Sequence, residues 1–214
     1  MFTIYRAATA SSPVVYLLTA VPEADESICR LVIGRPFSLV SVAAPDWNAD
    51  LSPWPAPRAF RKGEDFAGRA DGFLQALTSD ALPQAEARLG FTPQRRMLAG
   101  YSLSGLFALY AMTKTDLFQA YASVSGALWY DGFLAYLGAV LPTLPPCPVY
   151  LSLGDLEART KNARLAQVQS CTEQTLALFK NAGFPSTFEL NPGNHFADYE
   201  RRMAKALAWL LSRT

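Results

Sequence analysis

At 214 residues, half of them hydrophobic, the chain can bury one substantial core, and a single domain over residues 1–214 is expected. With 19 basic against 18 acidic side chains the net charge is +1 and no basic stripe appears, which argues against nucleic acid as a substrate. The cysteines Cys29, Cys147 and Cys171 have neither metal-ligand nor disulfide-framework spacing, Met1 to Arg6 lacks the layout of a signal peptide, and the apolar runs are too short for a bilayer, so a cytoplasmic protein with no membrane partner is expected.

In chain order, Phe2 to Ala7 reads as an edge strand and Val14 to Leu18 as a buried one. Ala24 to Val32 suits a helix, and Phe37 to Val42 the next strand. The stretch from Ala44 to Pro57 is crowded with prolines, which exclude helix and central strand. A loop this long is commonly functional, and its two tryptophans argue for packing; it is expected to form one wall of the site, with Trp54 against substrate. Phe66 to Leu77 and Leu82 to Leu89 read as helical and Arg96 to Ala99 as a short buried strand. Phe118 to Val124 and Pro148 to Leu153 suit further strands, Asn162 to Asn181 a long helix closed by Gly183, Thr187 to Leu190 a strand, and Ala197 to Leu211 a last helix. Alternating strands and helices indicate an α/β fold: a mostly parallel central sheet with helices on both faces, a three-layer sandwich.

The most informative segment is Gly100-Tyr101-Ser102-Leu103-Ser104-Gly105, between the Arg96–Ala99 strand and an expected amphipathic helix. It reads as a nucleophile elbow, a strained strand-to-helix turn that lifts a serine hydroxyl above a sheet. Residues two before and two after the serine must be small, and Gly100 and Ser104 comply, although the usual pattern ends in glycine. The Leu103 N–H then lies at a helix N-terminus, where it can stabilise an oxyanion. Ser104 as nucleophile would put Leu106 at the second small position, where it clashes. Ser125 has small flanks in Ser123 and Ala127, but Leu128 to Gly132 looks like a loop rather than a packed helix.

His195 is the only histidine, on a loop between a strand and the last helix. A serine hydrolase needs one positioned imidazole. An orienting acid should fall between the serine and the histidine, and the strand from Pro148 ends in Gly154-Asp155-Leu156-Glu157. Glu157 is preferred, with Asp155 as the alternative acid.

Together these segments resemble the "putative esterase" branch of the α/β-hydrolases, the group of esterase D and the enterochelin esterases. The matching stretches are Pro13–Leu18, Leu98–Leu106, Ser123–Trp129, Gly154–Glu157 and Gly193–Phe196. The resemblance implies Ser102 as nucleophile, His195 as base and the Glu157 region as acid, with no metal or organic cofactor. It also implies a second oxyanion donor from Thr19-Ala20-Val21-Pro22, taken as the Val21 N–H, where relatives tend to carry an aspartate–glycine pair. Trp129 would line the pocket. The implied reaction is hydrolysis of a small ester, lactone or thioester through an acyl-enzyme. The alternatives are an acyltransferase or peptidase on the same fold, or a non-catalytic binding module. Oligomeric state is not legible from the sequence.

Overall fold

The structure, a computed structural model, describes residues 2–5 and 10–213. Its centre is a seven-stranded sheet formed by β1 (Phe2–Tyr5), β2 (Val14–Leu18), β3 (Ser38–Val42), β6 (Arg96–Tyr101), β7 (Ala120–Val124), β8 (Val149–Gly154) and β9 (Ser186–Asn191), in the order β1-β3-β2-β6-β7-β8-β9. Only β1 runs antiparallel, pairing Phe2 with Val42 and Tyr5 with Leu39. The other neighbours are parallel. Arg6 and Ala7, at the end of the expected first strand, lie outside the described residues. The central strands are apolar without alternation because both faces of the sheet are covered. Along β6, Met97, Ala99 and Tyr101 face one layer while Leu98 faces the other.

One layer holds α1 (Asp25–Leu31) and α8 (Tyr199–Leu211), which pack on each other and on the sheet through Ile28, Met203, Leu207 and Leu210. The opposite layer is larger. It holds α3 (Ala70–Ala76), a π-helical turn over Leu77–Ala81, α4 (Leu82–Leu89), α5 (Leu103–Met112), α6 (Phe133–Val140) and α7 (Val168–Asn181). Every residue of α5 is buried, so the helix is not amphipathic as expected: the sheet covers one side and neighbours such as Phe73, edge-on to Phe107, cover the other.

Three sequence expectations need correction. The proline-rich stretch contains one helical turn, α2 (Trp47–Asp50), because Asp46 caps it by accepting from the Ala49 N–H at 3.1 Å while Arg69 pairs with Asp46 and Asp50. The helix expected from Phe66 starts at Ala70, since Phe66–Ala67 (β5) pairs instead with Pro55–Ala56 (β4). The helix expected from Asn162 becomes regular only at Val168, after a 3₁₀ turn over Leu165–Gln167, because the Asn162 side chain accepts from the Arg164 and Leu165 N–H groups and shapes a separate turn. Helix α6 was not foreseen at all; Gly132, at φ 77°, turns the chain into it.

Asp25 is fully buried in the first turn of α1. Burial pushes its carboxyl up to about 6, with Ser41 partly offsetting the rise and Glu23 adding to it. A raised native pKa means stability that is complete below the unfolded value and lost as pH rises through about 6. Asp25→Asn is therefore expected to raise Tm above that pH, with the gain vanishing in acid. Thermal unfolding followed by circular dichroism against pH measures this, and an equal or lower Tm in mild alkali would refute it.

Candidate active site

The site lies where the C-terminal ends of β2, β6, β7, β8 and β9 meet, the usual location of ligand sites in open parallel sheets. Ser102 occupies the turn between β6 and α5 with φ 61° and ψ −122°, a region that a residue bearing a Cβ enters only under strain. The turn is tight: a Cβ on Gly100 would sit 2.3 Å from the Ser104 carbonyl. Ser104, the departure from the glycine pattern, is buried and used. Its Oγ accepts from the Tyr101 N–H at 2.8 Å and lies 2.9 Å from the Leu18 carbonyl, joining the elbow to the end of β2.

Ser102 Oγ stands 3.0 Å from His195 Nε2, and His195 Nδ1 stands 2.7 Å from Glu157 Oε2. The imidazole is 33% exposed and the carboxyl 3%, so the chain of hydrogen bonds runs from the open surface into the interior. Glu157 Oε1 accepts from the Gly154 N–H at 2.6 Å, Ser125 Oγ at 2.7 Å and Arg202 Nη1 at 3.1 Å. Burial pushes the Glu157 carboxyl up, but His195, the Ser125 hydroxyl and the Gly154 N–H outweigh it, and the group rests below the ordinary glutamate value. An ionised carboxylate here selects the Nδ1–H tautomer, leaving Nε2 free to accept the Ser102 proton.

Asp155 does not join this chain. It is exposed, and its Oδ1 accepts from the Gly193 N–H at 2.8 Å, fastening the turn before His195. Among the described residues, the non-glycine positive-φ positions are Ser102 and Ser125, both at the site, and Asp198, which starts α8. Ser125, weighed from the sequence as a rival nucleophile, instead holds the acid.

Leu103 is the first residue of α5, so its N–H has no partner within the helix. Val21 is not free for the role expected of it, because its N–H donates to Thr19 Oγ1 at 2.9 Å. Ala20, from the same loop, lines the cavity of about 390 Å³ that Ser102 and His195 open onto. Leu18, Trp47 and Tyr199 complete this cavity's apolar wall. A second cavity of about 300 Å³ lies on the other side of Ser102, against Trp129, Leu156, Leu165 and Phe60. Phe196, 87% exposed, forms the ridge between the two.

Trp129 thus borders the site, steadied by the Arg164 guanidinium 5.1 Å from its ring. Trp54 does not. It sits among Tyr110, Tyr130, Phe133 and Tyr136 and donates to the Asp131 carbonyl, so it braces α5 and α6 rather than facing substrate. The tryptophan of that loop that reaches the site is Trp47.

The family described as "Putative esterase" matches residues 5–210. The chain belongs to the esterase family. It is a carboxylesterase-type hydrolase. It is 27% identical to the Bacillus subtilis protein YbbA over 174 residues, which is 77% of this chain and 69% of that one. It is 31% identical to the apo-salmochelin esterase of Escherichia coli O6:H1 over 127 residues, covering 57% of this chain and 40% of the relative. Among solved structures, an IroE-like serine hydrolase from Shewanella oneidensis matches with a TM-score of 0.83 at 17% identity, over 99% of this chain and 75% of that one, which establishes the α/β-hydrolase fold. Among the described residues no helix is long and apolar enough to cross a membrane, and no group of three or more metal-binding side chains is found.

The depressed Glu157 pKa contributes stability that is present above the ordinary carboxylate value near 4.5 and lost as pH falls through the lower native value. The Tm gap between wild type and Glu157→Gln is expected to be widest near neutrality and to narrow in acid. Unfolding transitions measured across that range test this; a gap independent of pH would show that the carboxylate charge is not what the network holds.

Proposed function

We propose that the protein hydrolyses esters through a Ser102–His195–Glu157 triad and an acyl-enzyme intermediate. The observation that carries this reading is the unbroken hydrogen-bonded chain from a serine at strained φ, through the only histidine, to a buried and ionised glutamate. His195 Nε2 takes the Ser102 proton as Oγ attacks the ester carbonyl, and Glu157 stabilises the imidazolium that forms. His195 then returns the proton to the leaving alcohol, and water, activated by the same imidazole, cleaves the acyl-enzyme.

The developing oxyanion is assigned to the Leu103 N–H and the Ala20 N–H. Ala20 and Val21 both line the cavity that holds the nucleophile, and because Thr19 engages the Val21 N–H the role goes to Ala20. Removing one such donor from a related site costs on the order of 100-fold to 1,000-fold in rate.

The substrate is read as an ester of apolar or aromatic groups, with its two halves in the cavities on either side of Phe196. Apolar walls at Trp47, Trp129, Leu156 and Leu165 support this, and the rim is open enough for a bulky ester. The names of relatives, an apo-salmochelin esterase among them, make siderophore esters the first natural class to assay.

Hydrolysis of p-nitrophenyl acetate and butyrate tests the reading. The wild type should show a burst of nitrophenol, and Ser102→Ala should lose the burst and at least on the order of 1,000-fold in kcat. Undiminished turnover by Ser102→Ala would overturn the assignment of the nucleophile.

A further inference from the structure

Arg202 is 1% exposed and lies on the face of α8 that otherwise presents Met203, Ala206, Leu207 and Leu210 to the sheet. A guanidinium removed from water so completely is costly unless several acceptors meet it. Here they do. Its Nη1 lies 3.1 Å from Glu157 Oε1, 3.2 Å from Ser125 Oγ and 3.3 Å from Tyr101 Oη. Its Nη2 donates to the Pro192 carbonyl at 2.8 Å. Tyr101 Oη in turn donates to the His195 carbonyl at 2.7 Å. The histidine loop is therefore tied to one cation at two points, directly at Pro192 and through Tyr101 at His195.

The fold makes room for this group. A Cβ on Gly154 would come within 2.8 Å of Arg202 Nη2 and 2.2 Å of the Gly193 carbonyl, so only glycine can end β8 here. The Arg202 N–H donates to the carbonyl of Asp198, the left-handed residue at the start of α8, which sets the side chain at the right height.

We propose that Arg202 is the positioning residue of the site: its planar fork holds the acid and the histidine loop in one fixed relation, so that Glu157 presents Oε2 to His195 and nothing else. This rests on the triad reading given above. Glu157 divides its oxygens accordingly, with Oε2 on His195 and Oε1 on Arg202, Ser125 and the Gly154 N–H. A lysine brings the same charge without the fork, and cannot reach Pro192, Glu157 and Tyr101 together. The charge has its own consequence: a cation on the far side of Glu157 limits how far the carboxylate favours the protonated imidazole. The other titratable or charged groups facing the site are the Tyr101 phenol on β6, Tyr199 and Glu200 on α8 and, on the loop after β8, Asp155 and Arg159.

The test is the pH dependence of kcat and kcat/KM for p-nitrophenyl butyrate in wild type, Arg202→Lys, Arg202→Met, Glu157→Gln and the Glu157→Gln/Arg202→Met double variant. Arg202→Met should lose on the order of 100-fold in kcat with a smaller change in KM. Its acid limb should move to higher pH, because Ser125 and the Gly154 N–H still hold the carboxylate beside His195 once the cation is gone. Arg202→Lys should keep the wild-type limb and KM and lose roughly tenfold in kcat. The double variant should be no slower than Glu157→Gln, since both changes disable one unit. An unmoved limb in Arg202→Met, with losses that add in full in the double variant, would reduce Arg202 to a packing element. Should Arg202→Met not fold, a wild-type kcat in Arg202→Lys overturns the proposal by itself. A fully active Glu157→Gln would instead strike the triad reading, and the positioning role with it.

Discussion

The site depends on one steric constraint. Strand β6 and helix α5 approach so closely that position 100 has no volume for a side chain, the nearest obstacle being backbone that cannot move aside. The residue joining them must turn through a left-handed conformation, and a serine there has its hydroxyl raised off the sheet with an α-helix starting directly behind it. Strain of this kind persists only where the surroundings over-determine it. Ser104 supplies part of that determination by bonding both the Tyr101 N–H and the Leu18 carbonyl, and Gly105 admits the Ser123 side chain and Gly126 backbone beneath it.

The sheet carries this arrangement because both of its faces are covered. Strands β2, β3, β7 and β8 are buried throughout and β6 at every position after Arg96, so their registers are fixed by packing on two layers and their ends converge in defined positions. The short loops at those ends inherit the rigidity of the strands. The loop after β2, the Ser125 turn after β7, the Glu157 turn after β8 and the His195 loop after β9 each bring one element of the site.

Much of this was legible because it is local. The small residues around Ser102, the isolated histidine and the glycine-ended strand before Glu157 are signals readable within a few positions. The central strands could be read for the same reason: Val14 to Leu18 is an unbroken apolar run. What escaped depends on distant partners. Trp54 and Trp47 are equivalent in sequence, a tryptophan in a proline-rich loop, and only the placement of α6, itself unforeseen, turns the first into the aromatic cluster. The choice between Glu157 and Asp155 turns on which one faces Arg202 and Ser125, which no spacing reveals. Arg202 belongs to no motif. Its one sequence signal is that it falls within the stripe of Tyr199, Met203 and Leu207, three residues after the first and next to the second. A single hydroxyl, Thr19, engages the Val21 amide two residues on, a contact that no motif announces.

The last helix does more than cover the sheet. Its first turn grips the loop that bears the imidazole, while the serine turn is made much earlier, where β6 meets α5. The serine and the imidazole are 93 positions apart in the chain, so their hydrogen bond exists only where α8 is seated on the sheet and holds Pro192 in place.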